Sequence, residues 1–470
     1  MIDLALIQTP PWGAVMPSLG LAYLSSYLKA RGLQVRVYDM NAELFNNACD
    51  KGLWDFERKD EWSDRRLFEE IKNLFYKDIR RFLDEILSEK PLAVGLSVNQ
   101  NSMLFSLEFA KMIKQTSDAP VIAGGWVCYN KHERDFLSRG QLIDMFVIGE
   151  AEESLHELIA NLRINRGHWD INEISRIRGV SVNFKEAECF LSRPAPQNLD
   201  ALGFPTYEEF DLSGYQESIL PILSSRGCVG RCVFCNDRVY QGALRLRSPQ
   251  SIVGEMEYHL ENNNISSFCF NDLLINGNLN HLESWCDEII KRGLNVRWIA
   301  QAVSRGDMDY DLFSKIKRAG CHTLQFGIET GSSKVLRKMR KMFTVTDAER
   351  ALAFARQAGI GIMINLMVGF PGEQEEDFRD TMDFIRRNRS NIDRFASVNA
   401  CNAVFNSELR NNPQDYGIIL SGNLQPLEVN WHTLDGNRDS LRKQRVRRMV
   451  SLAEELGISI GQTNLFLKFS

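Results

Sequence analysis

Two series of short apolar segments, each alternating with amphipathic stretches, constrain the fold of this 470-residue chain most strongly. The first series comprises residues 3–8, 34–39, 92–98, 119–125 and 144–150. Buried-type segments separated by helical patterns are typical of β/α units in a parallel sheet. This series predicts a doubly wound, Rossmann-like α/β domain over residues 1–165, with the charged and aromatic sequence at about 44–90 as a helical insertion.

The second series predicts another kind of parallel sheet. Its apolar segments are residues 219–225, 267–272, 297–302, 323–329, 360–371 and 395–405. Six βα units predict an incomplete barrel of the TIM type, a partial (β/α)6 barrel, over residues 219–395. Residues 166–218, which include a small strand pair at 179–184, are expected to form a linker. Residues 396–470 are expected to form a small C-terminal α/β extension, in which the basic helix at 439–457 presents a solvated face.

Charge and composition exclude several classes of function. The net charge is −5, which gives no support for a nucleic-acid partner. No apolar run reaches the roughly 18 residues that a membrane span needs, and the N-terminal residues do not have the pattern of a signal peptide. We therefore expect a cytoplasmic location, where thiols stay reduced, and we expect the ten cysteines to be metal ligands and core residues rather than disulfides.

Three of those cysteines, Cys228, Cys232 and Cys235, stand in a C-x3-C-x2-C arrangement in the loop after the first strand of the second series. Zinc sites usually have four protein ligands with recurring cysteine pairs, and no second C-x2-C is present. An iron–sulfur cluster held by three thiolates keeps one iron open for another ligand. Two glycines and two arginines in the same loop would offset the negative charge of such a cluster. The spacing therefore favours a 4Fe–4S cluster over zinc or structural cysteines.

The segment "RGCVGRCVFCN" (226–236), at the opening of a six-unit barrel, resembles the radical S-adenosylmethionine (SAM) superfamily. "FGIETGS" (326–332) and "MVGFPGE" (367–373) also match, and the resemblance covers about residues 220–390. It implies that SAM chelates the open iron, and that an electron from the cluster cleaves SAM to methionine and a 5′-deoxyadenosyl radical. It implies that Glu329 contacts the ribose and that the backbone of residues 367–373 packs on the adenine. The SAM-binding residues that the resemblance implies are Phe234, Asp272, Gln301, Arg305, Glu329, Val368 and Phe370.

The first domain resembles the cobalamin-binding domain that precedes many such barrels, through residues 16–39, 121–127 and 147–159. The D-x-H-x-x-G motif that supplies a histidine to cobalt is absent, so we expect cobalamin without a histidine lower ligand. In a doubly wound sheet, ligands bind beyond the carboxyl ends of the strands. The cobalamin-binding residues expected there are Pro10, Trp12, Leu19, Asp39, Ser97, Asn99, Gly124, Gly125, Trp126, Gly149 and Glu150.

Together, the two resemblances imply an enzyme that uses SAM, a 4Fe–4S cluster and cobalamin to methylate an unactivated carbon of a small-molecule or peptide substrate. An electron donor such as flavodoxin or ferredoxin would be its protein partner. The alternative is a non-methylating radical enzyme of the same architecture that performs cyclisation, ring contraction or oxidation. The sequence leaves these alternatives open, because the position of the substrate decides which group is transferred. The methylthiotransferases are disfavoured, since only Cys49 and Cys128 are available for their second, N-terminal cluster.

Overall fold

The computed structural model describes residues 2–55, 58–182, 190–421 and 430–461. Its internal contacts divide the chain into two compact units, Met1–Ser218 and Ile219–Ser470. In the described part of the chain, no helix combines the length and the apolar character that crossing a membrane requires.

The first unit is built on a six-stranded sheet with the order β2–β1–β3–β4–β5–β6. Its strands are β1 (Leu4–Gln8), β2 (Val35–Tyr38), β3 (Ala93–Ser97), β4 (Val121–Gly124), β5 (Met145–Val147) and β6 (Val180–Val182). Strands β1 to β5 are parallel, and the chain order reverses between β1 and β3. This arrangement confirms the predicted doubly wound fold, and it places a topological switch point, where ligands bind in such sheets, between β1 and β3.

Helices cover this sheet and extend its core. They are α1 (Leu19–Lys29), α2 (Met40–Asn47), α3 (Arg65–Leu74), α4 (Tyr76–Ser88), α5 (Met103–Thr116), α6 (Lys131–Leu137), α7 (Glu152–Ile164) and α8 (Ile171–Ile174). The segment predicted as a helical insertion contains α3 and α4. Its buried side chains, among them Trp62, Phe68 and Phe82, belong to the same apolar cluster as Ile7 and Val94 of the sheet. The insertion therefore enlarges the core of the first unit.

Strand β6 corrects the prediction of a separate strand pair in the linker. It pairs antiparallel with β5 and so forms an edge of the first sheet, and Ser181 makes a further bridge to Phe190. Val180 and Val182 are both buried, and pairing with β5 satisfies the backbone polar groups that a buried segment cannot leave unpaired. Residues 183–189, which include the end of the predicted pair, lie outside the described residues.

The second unit confirms the predicted partial barrel. Its parallel strands follow one another in the order in which they occur along the chain, β7–β10–β11–β12–β13–β14, and β17 adds at the end. These strands are β7 (Leu220–Ile222), β10 (Ser267–Phe270), β11 (Arg297–Ala302), β12 (Cys321–Glu329), β13 (Gly361–Val368), β14 (Arg394–Ala400) and β17 (Ser459–Ile460). The helices between them are α10 (Pro249–Asn263), α11 (Leu279–Arg292), α12 (Tyr310–Arg318), α13 (Ser333–Met339), α14 (Val345–Gln357) and α15 (Glu375–Arg387).

Short elements complete the second unit. A two-residue pair, β8 (Ser225–Arg226) with β9 (Arg245–Leu246), encloses α9 (Asp237–Gln241). After β14, which crosses the predicted start of the extension at residue 396, come α16 (Glu408–Asn411), the antiparallel strands β15 (Ile418–Ser421) and β16 (Asn430–Thr433), and α17 (Asp439–Glu455). Because β17 pairs in parallel with β14, the end of the described chain returns to the barrel sheet.

Candidate active site

The cysteine loop of the second unit, residues 227–244, is closed by the pair β8–β9 at the carboxyl end of β7. Gly227 has a φ of +87°, and a Cβ atom at this position would lie 2.2 Å from the carbonyl oxygen of Ala243. The amide of Cys228 donates to the carbonyl of Gly242 at 3.3 Å. Only glycine fits at position 227, because a side chain would separate the two ends of the loop.

The three cysteines of the loop are free thiols, each partly buried. The amide of Gly230 donates to Sγ of Cys228 at 3.2 Å. A Cβ atom on Gly230 would lie 3.3 Å from Sγ of Cys228 and 3.8 Å from Sγ of Cys232, so both sulfurs border the same small space. Sγ of Cys235 lies 3.4 Å from Oδ2 of Asp237. The loop thus presents three unoxidised sulfurs and a backbone amide within eight residues of sequence.

This donor set fits an iron–sulfur cluster. Cysteine thiolates are the usual ligands of such clusters, and three of them can bind three irons of a four-iron cluster and leave the fourth open for another ligand. Burial raises the pKa of all three thiols, to about 12 for Cys235. Metal binding must therefore displace protons that the thiols otherwise keep.

Asp272, predicted to bind SAM, lies just after β10 and is 1% exposed. Its carboxylate accepts hydrogen bonds from the amide of Ser224 at 2.9 Å, from Oγ of Ser224 at 2.6 Å and from Oγ of Ser225 at 2.5 Å. Both carboxylate oxygens are therefore engaged by the segment that leads into the cysteine loop. Burial raises the pKa of Asp272, and the serine donors oppose that effect. The structure places this residue where it fixes the start of the loop.

Phe234 and Glu329, also predicted to bind SAM, meet through Lys341, which the sequence analysis did not single out. Glu329 ends β12 with a φ of +65°, a conformation that few non-glycine residues adopt. Its Oε1 lies 3.2 Å from Nζ of Lys341, and that ammonium lies 5.7 Å from the ring centroid of Phe234. A buried cation thus links the end of β12 to the cysteine loop.

Gln301 is the last residue but one of β11, and Arg305 lies three residues beyond the end of this strand. The side chain of Gln301 is exposed. The guanidinium of Arg305 makes two hydrogen bonds with Asp307, at 2.8 and 2.6 Å, and Asp307 raises the pKa of Arg305. Gln301 therefore keeps an exposed side chain at this end of the sheet, whereas Arg305 is held by Asp307 and by the carbonyls of Asn276 and Gly277 in the loop after β10, at 3.4 and 3.3 Å.

Val368 and Phe370 flank the end of β13, and both side chains are fully buried. Any ligand here is contacted by the backbone, as the resemblance implies for the adenine. The side chain of Asn437, from the C-terminal extension, donates to the carbonyls of Gly369 and Phe370 at 2.9 and 3.2 Å. The extension therefore supports this backbone segment directly.

Helix α17 corrects the prediction of a solvated basic face, because Arg442 and Arg445 are buried. The guanidinium of Arg442 lies 3.8 Å from the ring centroid of Trp431 and donates to its carbonyl at 3.0 Å. Arg445 donates to Oε2 of Glu373 at 2.6 Å. The amide of Gly369 donates to the same carboxylate oxygen. The basic residues of this helix thus hold the loop after β13.

A row of polar side chains crosses three neighbouring barrel strands and was also missed by the sequence analysis. Nε2 of Gln325 donates to Oδ1 of Asn365 at 3.0 Å, and Oγ of Ser397 donates to the same oxygen at 2.9 Å. The interiors of closed barrels are filled mainly by bulky apolar side chains. These partly exposed residues alternate with buried ones such as Leu324 and Phe326, so this barrel carries a hydrogen-bonding surface on one face of its sheet.

The first unit brings several predicted cobalamin residues together at the switch point. Nδ2 of Asn99 donates to the carbonyl of Pro11 at 2.8 Å, and Oγ1 of Thr9 donates to the carbonyl of Ser97 at 3.0 Å. Pro10, which lies between Thr9 and Pro11 in sequence, is buried. The amide of Trp12 donates to Oδ1 of Asn41 at 2.7 Å, and its ring is 40% exposed. The loops after β1 and β3 are thus bonded to each other.

The loops after β4 and β5 add glycines and a second exposed ring to the same edge of the sheet. Gly125 follows Gly124 with a φ of +110°, and a Cβ atom there would lie 2.3 Å from the carbonyl oxygen of Val98. Trp126 is 42% exposed. Gly149 has a φ of +101° and faces the hydroxyl of Tyr129, and Glu150, the next residue, is partly buried. These features leave backbone and aromatic surface for a ligand.

Asp39 and Leu19 have local roles in the structure. Oδ1 of Asp39 accepts from the amide of Ala42 at 2.9 Å and so caps α2, and Oδ2 accepts from the hydroxyl of Tyr215 at 2.5 Å. Burial raises the pKa of Asp39, and these donors oppose the increase. Leu19 is the first residue of α1 and is partly buried. Asp39 therefore stabilises the start of α2, and Leu19 stands at the start of α1.

Gln8, the last residue of β1, was missed by the sequence analysis. It pairs in register with Ser97 of β3 at the switch point, and its side chain is 1% exposed. Neither Nε2 nor Oε1 has a hydrogen-bond partner among the described residues. A buried amide without partners is costly and indicates a missing polar neighbour. The residues of this unit therefore fit a ligand that carries hydrogen-bonding groups, as the amide side chains of cobalamin do.

Comparisons with known protein families and proteins match the part of the chain that contains the cysteine loop. The profile of the Radical SAM superfamily matches residues 222–385. An uncharacterized methyltransferase of Pyrococcus horikoshii is 25% identical over 383 residues, which are 80% of this chain and 74% of that protein. An anaerobic magnesium-protoporphyrin IX monomethyl ester cyclase of Synechocystis is 26% identical over 267 residues, which are 55% of this chain and 52% of the cyclase.

The solved structures include a radical SAM methyltransferase, TsrM from Kitasatospora setae, with cobalamin and a 4Fe–4S cluster bound. It superposes on this chain with a TM-score of 0.67 at 20% identity, over 91% of this chain and 82% of TsrM. This chain therefore shares its fold with a radical SAM methyltransferase that binds cobalamin and a 4Fe–4S cluster, and the profile confirms the resemblance of the second unit to the radical SAM superfamily.

Proposed function

We propose that this chain, a member of the radical SAM superfamily, is a cobalamin-dependent enzyme that transfers a methyl group from SAM to an unactivated carbon of a small-molecule or peptide substrate. The observation that carries the proposal is the cysteine loop. Its three free thiols lie at the carboxyl end of β7, in the same unit as Glu329 and Lys341. The similarity to a methyltransferase over most of both chains supports methyl transfer.

In this proposal the second unit holds the cluster and SAM. Cys228, Cys232 and Cys235 bind the cluster, Asp272 and Gly227 fix the shape of their loop, and the backbone after β13 supports the adenine. Phe234 and Glu329 complete the SAM site, together with Gln301 and Arg305. When bound, the cluster and SAM supply an organic radical, and SAM with cobalamin supplies the methyl group. The protein's own task is to orient these groups and to exclude water.

The first unit would bind cobalamin at the loops after β1, β3, β4 and β5. Trp12 and Trp126 offer exposed rings, Gly125 lets the backbone come close, and Gln8 has hydrogen-bonding capacity that no described residue uses. We propose that no histidine occupies the lower face of the cobalt. The proposal also includes a small electron-transfer protein, such as flavodoxin or ferredoxin, as donor, and a cytoplasmic location.

The test is an anaerobic incubation of the iron-loaded protein with cobalamin, a low-potential reductant and SAM labelled in its methyl group. We expect formation of 5′-deoxyadenosine, label on cobalamin, and label on carbon in the correct substrate. Replacing any one of the three loop cysteines by alanine should abolish all three results, whereas Cys49→Ala, at an exposed position, should change none of them. Iron-loaded protein that leaves SAM intact would contradict the proposal.

A non-methylating reaction, such as cyclisation, is the second candidate. The similarity to the Synechocystis cyclase favours it, although this chain spans only about half of that protein. The same incubation separates the two candidates. Formation of 5′-deoxyadenosine, together with a substrate that loses hydrogen but gains no label, would support the second candidate.

A further inference from the structure

We propose that Lys341 is the residue whose charge sets the reduction potential of the cluster held by the cysteine loop. The inference rests on the proposed function, because it requires a cluster at Cys228, Cys232 and Cys235. It concerns a residue outside the cysteine motif and outside the SAM-binding residues that the sequence predicts. Lys341 would act on the cluster through space rather than as a ligand.

A helix cap delivers Lys341 to the loop. Helix α13 ends at Met339, and Arg340 then adopts the left-handed conformation with a φ of +56°. The amide of Lys341 donates to the carbonyl of Leu336 at 3.0 Å, which closes the cap. The carbonyl of Met339 accepts from the amide of Val233, between the second and third cysteines, at 3.2 Å. The end of this helix is therefore hydrogen-bonded directly to the cysteine loop.

The ammonium of Lys341 is unusually enclosed, since its side chain is 8% exposed. Nζ lies 3.2 Å from Oε1 of Glu329, 5.7 Å from the ring centroid of Phe234 and 5.5 Å from that of Phe343. An ammonium has three N–H donors, and one of them is used by Glu329. Burying a cation in this way is costly unless negative charge is close by. Glu329 supplies one unit of negative charge, and an anionic cluster in the loop would supply further negative charge for the two remaining donors.

The ammonium of Lys341 lies close to the third cysteine of the motif, because it is 5.7 Å from the ring centroid of Phe234, the residue directly before Cys235. The loop itself also carries charged side chains. Arg231 is exposed, and Arg238 donates to the carbonyls of Val229 and Gly230 at 3.3 and 3.0 Å. Asp237 contacts Cys235. Lys341 differs from these charges in being an enclosed cation delivered by another element of the barrel.

This position has a redox consequence. A cluster held by three thiolates is anionic, and reduction by one external electron adds a further negative charge without making or breaking a bond. A buried cation stabilises the more negative form, and it does so more strongly than in water because the local dielectric constant is low. Cluster potentials respond to net charge and to solvent exposure. Lys341 should therefore raise the potential, so that a weaker donor can reduce the cluster.

The experiment is a redox titration of the reconstituted full chain. The reduced cluster is monitored by electron paramagnetic resonance at each potential, and iron and sulfide content are measured in parallel. We expect Lys341→Met to lower the ratio of reduced to oxidised cluster at fixed potential by about tenfold, which equals about 59 mV for a one-electron couple. Lys341→Arg, which keeps the charge, should stay near the wild-type value. Lys291→Met removes an exposed lysine that pairs with Glu288 and should leave the ratio unchanged.

Glu329→Gln provides a test of opposite sign, because removing a carboxylate should raise the same ratio. The proposal is overturned if Lys341→Met retains its cluster at the wild-type potential, or if Lys341→Arg shifts as far as Lys341→Met. Should Lys341→Met lose its cluster, an unchanged ratio in Glu329→Gln overturns the proposal and an increased ratio supports it. Wild-type protein that takes up no four-iron cluster would instead contradict the proposed function, and it would do so before any variant is compared.

Discussion

Nη1 of Arg445 lies 2.6 Å from Oε2 of Glu373, and both side chains are almost completely buried. The pair joins helix α17 to the loop after β13, the segment whose backbone supports the adenine in the proposed function. The family profile ends at residue 385, so this support comes from sequence beyond the matched domain. The C-terminal extension is thus part of the structure that shapes the site.

Replacing Arg445 by methionine should destabilise the protein strongly. Burial raises the pKa of Glu373 to about 7, and Arg445 opposes that increase. Without Arg445, the carboxylate stays buried with no cation, which typically costs about 3–5 kcal/mol. The free energy of unfolding, measured in urea, should fall by that amount in Arg445→Met.

Two controls accompany this prediction. Arg447→Met, at an exposed position of the same helix, should change the free energy of unfolding little. The double variant with Glu373→Gln should recover part of the loss, because the unpaired charge is removed. Equal losses in Arg445→Met and Arg447→Met would show that the buried pair does not stabilise the fold.

Gly227→Ala should prevent correct assembly of the cysteine loop. A Cβ atom at residue 227 would overlap the carbonyl oxygen of Ala243, whereas one at Gly242, which also has positive φ, would meet open space. Alanine at 242 is therefore strained by its backbone alone, by about 1–3 kcal/mol, because its φ of +73° and ψ of −153° are almost exclusive to glycine. We expect Gly227→Ala to lose most of its iron after reconstitution and Gly242→Ala to keep it. Iron loss that is the same in both variants would mean that the close approach at residue 227 is unimportant.

The stability of the first unit should depend on pH through Glu133. This residue of α6 is buried, and its Oε2 has no partner among the described residues. Burial raises the pKa of Glu133 to about 7 from an ordinary value of 4.5. The folded protein therefore binds this proton more tightly than the unfolded chain does. The contribution to stability is fully present below about pH 4.5 and is lost as the pH rises through about 7.

Urea unfolding at pH 5 and pH 8 measures this effect. Wild-type protein should lose on the order of 2 kcal/mol more than Glu133→Gln between these two values. Asp135→Asn, at an exposed position of the same helix, is the control and should behave like wild type. If Glu133→Gln shows the same pH dependence as wild type, Glu133 does not retain a proton in the folded state.

Gln8→Met should separate folding from ligand binding in the first unit. Methionine fills a similar volume and removes a buried amide that has no partner, a group that costs about 1–3 kcal/mol when it is unsatisfied. The protein without cobalamin should therefore become more stable by about that amount. Retention of cobalamin on a desalting column should fall, because the proposed hydrogen bonds are lost. A variant that retains cobalamin as wild type does would remove Gln8 from the proposed site.

Much of the fold could be predicted because the barrel strands and the strands of the first sheet are buried apolar runs. Their periodicity is visible without tertiary information, and the spacing of the three cysteines is equally local. Strands β8 and β9 were missed because two residues carry no periodicity. Strand β6 was assigned to the linker because pairing at a sheet edge depends on the position of β5.

The charged residues of the site could not be predicted for a related reason. In "SKVLRKMRK" (333–341) the basic residues are typical of a solvated helix, and only the left-handed turn at Arg340 brings Lys341 into a buried position. Arg442 and Arg445 also stand in a basic run, and their burial depends on Trp431 and Glu373. Asp272 was predicted as a SAM-binding residue, but its hydrogen bonds to Ser224 and Ser225 became visible only in the fold.

The most direct test of the account is the metal content and paramagnetic spectrum of the anaerobically reconstituted, reduced protein, with and without SAM. The account predicts about four irons for each chain, and a reduced-cluster signal that changes when SAM is added. Both results should be lost when Cys228, Cys232 and Cys235 are replaced by alanine. Stoichiometric zinc in place of iron, or a cluster signal that SAM leaves unchanged, would contradict the central claim that these three cysteines hold a cluster with a coordination position for SAM.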